Sequence, residues 1–156
     1  MATLNEIQKF LAPRKMAIAG ASRNVQKFGG SVFKELLENG FELYPVNPNA
    51  DEILGVKCYK SVDDLPPDVE YLYIVTPKYE TELVANAAVR KAMKMVWIQR
   101  QSDTPNAILT IEKAGIPLVY DKCIMMFAEP VRGAHRFHRL LAKVFGGYPK
   151  LKLSTN

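Results

Sequence analysis

Residues 16–40 read MAIAGASRNVQKFGGSVFKELLENG. An apolar stretch of strand character runs into a loop of small residues, passes a Gly29-Gly30 pair and enters an amphipathic helix with Val32, Phe33, Leu36 and Leu37 on one side. Gly40 stands where a helix ends in a left-handed residue. A strand, a glycine-containing loop and a helix start together outline a cradle for phosphate. Small residues admit a ligand close to the backbone, and the free amides and positive dipole end of a helix favour an anion. Gly20, Ala21 and Ser22 supply the small residues, Ser22 adds a hydroxyl and Lys27 a charge. The same glycines also suit a plain tight turn. The stretch spells neither G-x-G-x-x-G nor G-x-x-x-x-G-K-[ST].

Outward from this unit, strands and helices alternate. Thr3-Leu4-Asn5-Glu6 has capping-box spacing and opens a short helix that ends near Pro13. Strands are expected at 15–20, 41–46, 70–75, 95–98 and 117–120. Helices are expected at 31–39 and 79–93, after a cap at Ser102 or Asp103, and at 129–145 with an interruption at Gly133. The third strand is almost continuously apolar, which suits a sheet buried on both faces. Five strands alternating with helices predict an α/β fold, a doubly wound, parallel, five-stranded sheet with helices on both faces. The expected strand order is 3-2-1-4-5. In such sheets ligands bind beyond the carboxyl ends of the strands, so the loops after strands one to three carry the site.

The chain has 156 residues, 48% of them apolar, and a net charge of +5. That length suits one domain over residues 1–156. Residues 1–119 carry 14 basic and 14 acidic side chains, and residues 120–156 carry seven and two. The excess charge therefore lies in a basic helix and tail at about 129–156. Such a tail can meet nucleic acid or an anionic membrane, or simply form a solvated face, which is the favoured reading. No apolar run approaches the ~20 residues of a membrane span. The first 15 residues show no apolar signal core. With only Cys58 and Cys123, the chain is expected in a reducing cytoplasm.

A dinucleotide site needs an Asp or Glu near the end of the second strand to bind a ribose diol. Asn47 stands there, followed by Pro48. The residues instead resemble the stand-alone CoA-binding domain family. The resemblance rests on Ala19-Gly20-Ala21-Ser22, Lys27-Phe28-Gly29, Val46-Asn47-Pro48 and Gly55-Val56-Lys57-Cys58-Tyr59. It continues through Ser61–Pro66, Thr76-Pro77, Val96–Gln99 and Asp121–Met125. That family is similar to the N-terminal, Rossmann-like domain of the succinyl-CoA synthetase alpha subunit.

The resemblance implies a coenzyme A or acyl-CoA ligand. Gly20, Ala21 and Ser22 with Lys27, Phe28 and Gly29 would hold the diphosphate. Asn47 and Pro48 would border adenine and ribose, with Val75, Thr76 and Pro77 as the opposite wall. Gln99 would line the pantetheine path, and Lys57 would approach the 3′-phosphate. Two departures stand out. Arg100-Gln101-Ser102 replaces a common glycine, and the apolar Met126-Phe127-Ala128 replaces a polar position.

No catalytic group is expected. His135 and His138 lack companion ligands and sit among arginines, so no metal is expected. Cys58 and Cys123 read as structural thiols, and Trp97 as core. The ligase reaction does not transfer with the fold, because the phosphorylated histidine of the synthetase belongs to a second domain. The expected role is a non-catalytic binding, carrier or regulatory module, with a homo-oligomer or protein partner in play and nucleic acid and membrane disfavoured. The alternatives are a small NAD(P)-dependent oxidoreductase or nucleotide-using subunit, and a basic-tail adaptor.

Overall fold

A computed structural model describes residues 2–131, 133–144 and 147–149. Helix α1 spans Leu4–Leu11 and opens on the expected capping box, with Thr3 and Glu6 each bonding the other's backbone amide. Strand β1 (Lys15–Ala19) leads into α2 (Phe28–Glu38), then β2 (Glu42–Val46). Gly40 turns the chain between them at φ +82°. A small antiparallel pair follows, β3 (Glu52–Ile53) and β4 (Val56–Lys57), which the sequence pattern does not announce. A single turn at Val62–Asp64 precedes β5 (Tyr71–Ile74). Then come α3 (Lys78–Arg90), β6 (Met95–Gln99), α4 (Pro105–Lys113) and β7 (Leu118–Lys122). A turn at Ile124–Met126 and helix α5 (Gly133–Val144) follow.

The five long strands form one parallel, doubly wound sheet in the order β2-β1-β5-β6-β7. Counted along the chain these are strands 2-1-3-4-5, which corrects the expected 3-2-1-4-5. The reason is visible in β2. Pro45 has no amide to donate, so its outer side cannot support a full ladder. What pairs there instead is the connecting segment. The Tyr59 amide donates to the Pro45 carbonyl at 2.8 Å, and the Asn47 amide to the Tyr59 carbonyl at 2.9 Å. With that edge closed, the third strand pairs on the far side of β1.

Two apolar layers flank the sheet. On one face α1 and α2 pack Ile7, Phe10, Val32, Phe33 and Leu36 against Met16, Ile18, Tyr73, Trp97 and Met125. Trp97 is fully buried, its ring 5.5 Å edge-on from Phe10. On the other face α3, α4 and the Val62–Asp64 turn cover Ala17, Leu72, Ile74, Val96 and Ile98. The first crossover uses one face and residues 47–70 return over the other, so the winding reverses at β1 and β5.

Two local expectations change. Helix α4 is capped by Thr104, whose Oγ1 accepts from the Ala107 amide at 3.2 Å, rather than by Ser102 or Asp103. The last helix begins at Gly133 instead of 129. Its expected end at Phe145, with Arg132, Gly146 and residues 150–156 of the basic tail, lies outside the described residues. Among the described residues no helix is long and apolar enough to cross a membrane.

Candidate functional site

The winding reversal leaves a crevice beyond the carboxyl ends of the central strands. A cavity of about 840 Å³ occupies it, and every sequence-expected residue lines it except one: Gly20, Ala21, Ser22, Lys27, Phe28, Gly29, Asn47, Pro48, Val75, Thr76, Pro77 and Gln99. The exception is Lys57. It lies in β4 with its ammonium 5.2 Å from the centre of the Tyr59 ring, and it is absent from the cavity wall.

The glycines serve chain-to-chain approach first. Gly20 has φ +94°, and a Cβ there would stand 2.7 Å from the Thr76 nitrogen and the Val75 carbonyl carbon. A Cβ on Gly29 would stand 2.1 Å from the Gly20 oxygen. The start of α2 is thus pressed onto the end of β1, and the end of β1 onto β5, which brings the first turn of α2 to the crevice. Lys27, at the N-cap, gives that turn no side-chain hydrogen bond. The Gly30 and Ser31 amides donate to the Lys27 carbonyl, and those of Phe28 and Gly29 precede them at the open start of the helix, a position that suits an anion.

Between strand and helix the loop is self-organised. Ser22 Oγ accepts from the Asn24 amide at 3.1 Å, and Asn24 Oδ1 from the Gln26 amide at 2.9 Å. Acceptance leaves the Ser22 hydroxyl proton to donate elsewhere.

Asn47 sits where expected but has a structural task. Its Nδ2 donates to the Ala21 carbonyl at 2.8 Å, and its Oδ1 accepts from the Asn49 amide at 2.8 Å. Arg23 adds a bond to the Asn49 carbonyl at 3.2 Å. The loops after β1 and β2 are therefore tied together, and the amide is the tie. Thr76 is similarly engaged. Its hydroxyl is 2.9 Å from that of Thr81, which itself donates to the Pro77 carbonyl, so Thr76 must donate to Thr81.

The cavity extends past the expected residues along α3. Tyr79 and Leu83, 83% and 70% exposed, share its wall with Val84, Ala87 and Arg90, and Lys60 to Asp63 face them. Spacing of three and four residues along α3 was the available signal for this face. Four basic residues, Lys27, Lys60, Arg90 and Arg100, and two acidic ones, Asp63 and Glu80, line the space. Lys60 is bonded to Asp51 at 2.7 Å, and Arg90 to Asp63 at 2.8 Å. Those guanidinium and ammonium partners hold the Asp63 and Asp51 carboxyls below the ordinary range. Cys58 lies outside the cavity, and burial pushes its thiol up, away from thiolate character.

Comparison with known proteins agrees with this geometry. The profile of the CoA binding domain family matches residues 14–129. An ADP-forming acetate–CoA ligase II of Archaeoglobus fulgidus is 42% identical over 89 residues, which cover 55% of this chain and 13% of the ligase. The chain thus aligns with only a small part of that relative's length. Among solved structures, a conserved hypothetical protein from Pyrococcus furiosus superposes with a TM-score of 0.69 at 43% identity, covering 71% of this chain and 96% of that one. A hypothetical protein from Pyrococcus horikoshii reaches 0.76 at 32% identity, covering 85% and 98%. With residues 14–129, three quarters of its length, matched by the profile, the chain belongs to the CoA binding domain family.

Proposed function

We propose that the chain binds coenzyme A or an acyl-CoA in the crevice at the winding reversal, as a binding, carrier or regulatory module without chemistry of its own. The observation that carries this reading is the convergence of the loops after β1, β2, β5 and β6 on one cavity beside the uncapped start of α2. An open helix start and Lys27 suit a diphosphate, and Pro48, Val75 and Pro77 offer apolar walls to a base. Lys60 and Arg90 supply cations for a further phosphate, in place of Lys57. The nicotinamide alternative gains no support from Asn47, whose amide is spent on Ala21 and Asn49 and offers no carboxylate to a ribose diol. The ligase activity of the relatives is a property of much longer proteins. A protein partner supplying the rest of such a reaction is a natural extension of the proposal.

The test is thermal denaturation with CoA, acetyl-CoA, NAD, NADP and ATP, each added separately. CoA compounds are expected to raise the transition and NAD to leave it unchanged. Stabilisation by NAD without stabilisation by CoA would reverse the assignment.

A further inference from the structure

Helix α5 is turned the opposite way from a helix that only covers a core. His135, Arg139 and Ala142, four and three positions apart, form its half-buried side. Arg139 is bonded to Glu129, and its guanidinium lies 5.9 Å from the centre of the Tyr148 ring. Leu140 and Leu141 stand outward, 57% and 36% exposed. A helix that merely closes a core buries its leucines and leaves its arginines in water. The helix also begins at Gly133, past residue 129 where the family profile ends.

A cavity of about 700 Å³ opens beside α5, with Glu129, Pro130, Val131, Arg136, Leu140 and Lys143 in its wall. It shares no residue with the crevice at the winding reversal. Arg136 lies four positions before Leu140 and Lys143 three after it, so two cations bracket one leucine on a single face. Glu129 is taken by Arg139, and among the described residues neither Arg136 nor Lys143 is in an ion pair. The Lys143 ammonium rests 5.0 Å from the centre of the Tyr148 ring, which orients it without neutralising it. The face thus presents an exposed leucine between two cations about 10 Å apart along the helix axis.

We propose that this face of α5 docks an acidic amphipathic helix of a partner protein, with carboxylates seven positions apart on either side of an apolar residue. Seven positions on a partner helix repeat the spacing from Arg136 to Lys143, so both ion pairs and the Leu140 contact form in one register. Charge decides against a second copy, whose α5 would set arginine and lysine against their own kind. A flat layer of lipid headgroups would meet the cations but leave the cavity unfilled, and nucleic-acid phosphates would give the leucines no apolar contact. The excess of basic residues in 120–156, seven against two acidic ones, would steer an acidic partner to this end of the molecule.

Fluorescence anisotropy with the full chain tests the docking. The probe is a labelled helical peptide with two glutamates seven positions apart and two leucines midway, and its companion has serine in place of both leucines. Wild type should bind the leucine peptide about tenfold more tightly than the serine one. Leu140→Ser should lose that preference. The double variant Arg136→Glu, Lys143→Glu should bind the leucine peptide about tenfold more weakly than wild type. Lys113→Glu, the same kind of charge reversal on α4 across the sheet, should bind as wild type does. All of these side chains are exposed, so every variant should melt as wild type does. Equal affinity for the two peptides makes the face a plain charged surface and overturns the proposal, as does binding of neither. Phosphatidylserine vesicles or duplex DNA that bind more tightly than the leucine peptide, and lose affinity in the double variant, overturn it in favour of a membrane or a nucleic acid. A concentration-dependent dimer in sedimentation that Leu140→Ser dissolves overturns it in favour of self-association.

Discussion

Gly20 shows how one residue serves two ends. Its backbone lies in the left-handed region and its missing side chain admits the Val75–Thr76 peptide. On the proposed reading a ligand gains from this as well as the neighbouring strand, but the contact that forbids a side chain here is the strand. Gly20→Val should therefore cost stability before it costs affinity. Positive φ and the clash with backbone together predict a loss of roughly 2–5 kcal/mol in chemical denaturation, with CoA binding lost as well. Full stability with binding abolished would contradict that order of causes.

Asn47 makes a similar point. Asn47→Asp supplies the acid that dinucleotide sites use, but it replaces the donor to the Ala21 carbonyl with a carboxylate oxygen. The expected result is a loss of about 1–3 kcal/mol from the unpaired carbonyl and the broken tie, and no gain of NAD affinity. Both quantities come from denaturation and titration of the same sample. That Asn47 stands beside the crevice was legible from its place after the second strand. Its engagement by the neighbouring loop was not, because that bond spans 26 positions.

Among the elements, the Val62–Asp64 turn and α3 are joined by charge as well as by apolar packing. Asp63 bonds Arg90 at 2.8 Å, and Lys91 donates to the carbonyls of Asp63 and Leu65. The Arg90 guanidinium lowers the Asp63 carboxyl from its ordinary 3.8. A depressed carboxylate contributes stability above the unfolded value and loses it as pH falls through the folded one. Wild type should therefore exceed Asp63→Asn in melting temperature near neutrality at low salt. That advantage should fade below pH 3.8. Because the pair is exposed, the difference should be small and should shrink in high salt. An advantage that grows on acidification would reverse the sign.

The elements also show where local chemistry speaks clearly. Thr3 and Glu6, and Gly40 after α2, act as their sequence positions imply. Thr104 caps α4 even though Ser102 and Asp103 are equally good formers, because Pro105 fits the first helical position and fixes the cap immediately before it. The β3–β4 pair is too short for its alternation to be read.

For the molecule as a whole, ligand binding to the native state alone must raise its stability. At a CoA concentration one hundred times the dissociation constant the gain should be about 2.7 kcal/mol, read from denaturant midpoints with and without ligand. A titration whose stabilisation fails to grow with the logarithm of ligand concentration would mean that binding is not confined to the folded state.

The alternation of strands and helices, the parallel sheet and the glycine loop that leads β1 into α2 follow from periodicity and glycine placement within short stretches, where each residue's neighbours in sequence are its neighbours in space. Even the edge position of β2 was present in Pro45, a proline that no central strand accommodates. Which strand lies beside which depends on the long return of residues 47–70 and on Tyr59 closing the β2 edge, a pairing between segments 14 residues apart. The extension of the cavity along α3 and the exclusion of Lys57 depend on packing between distant segments. Local periodicity is blind to such contacts, since hydrogen bonds and apolar walls between distant segments exist only once the chain has closed on itself.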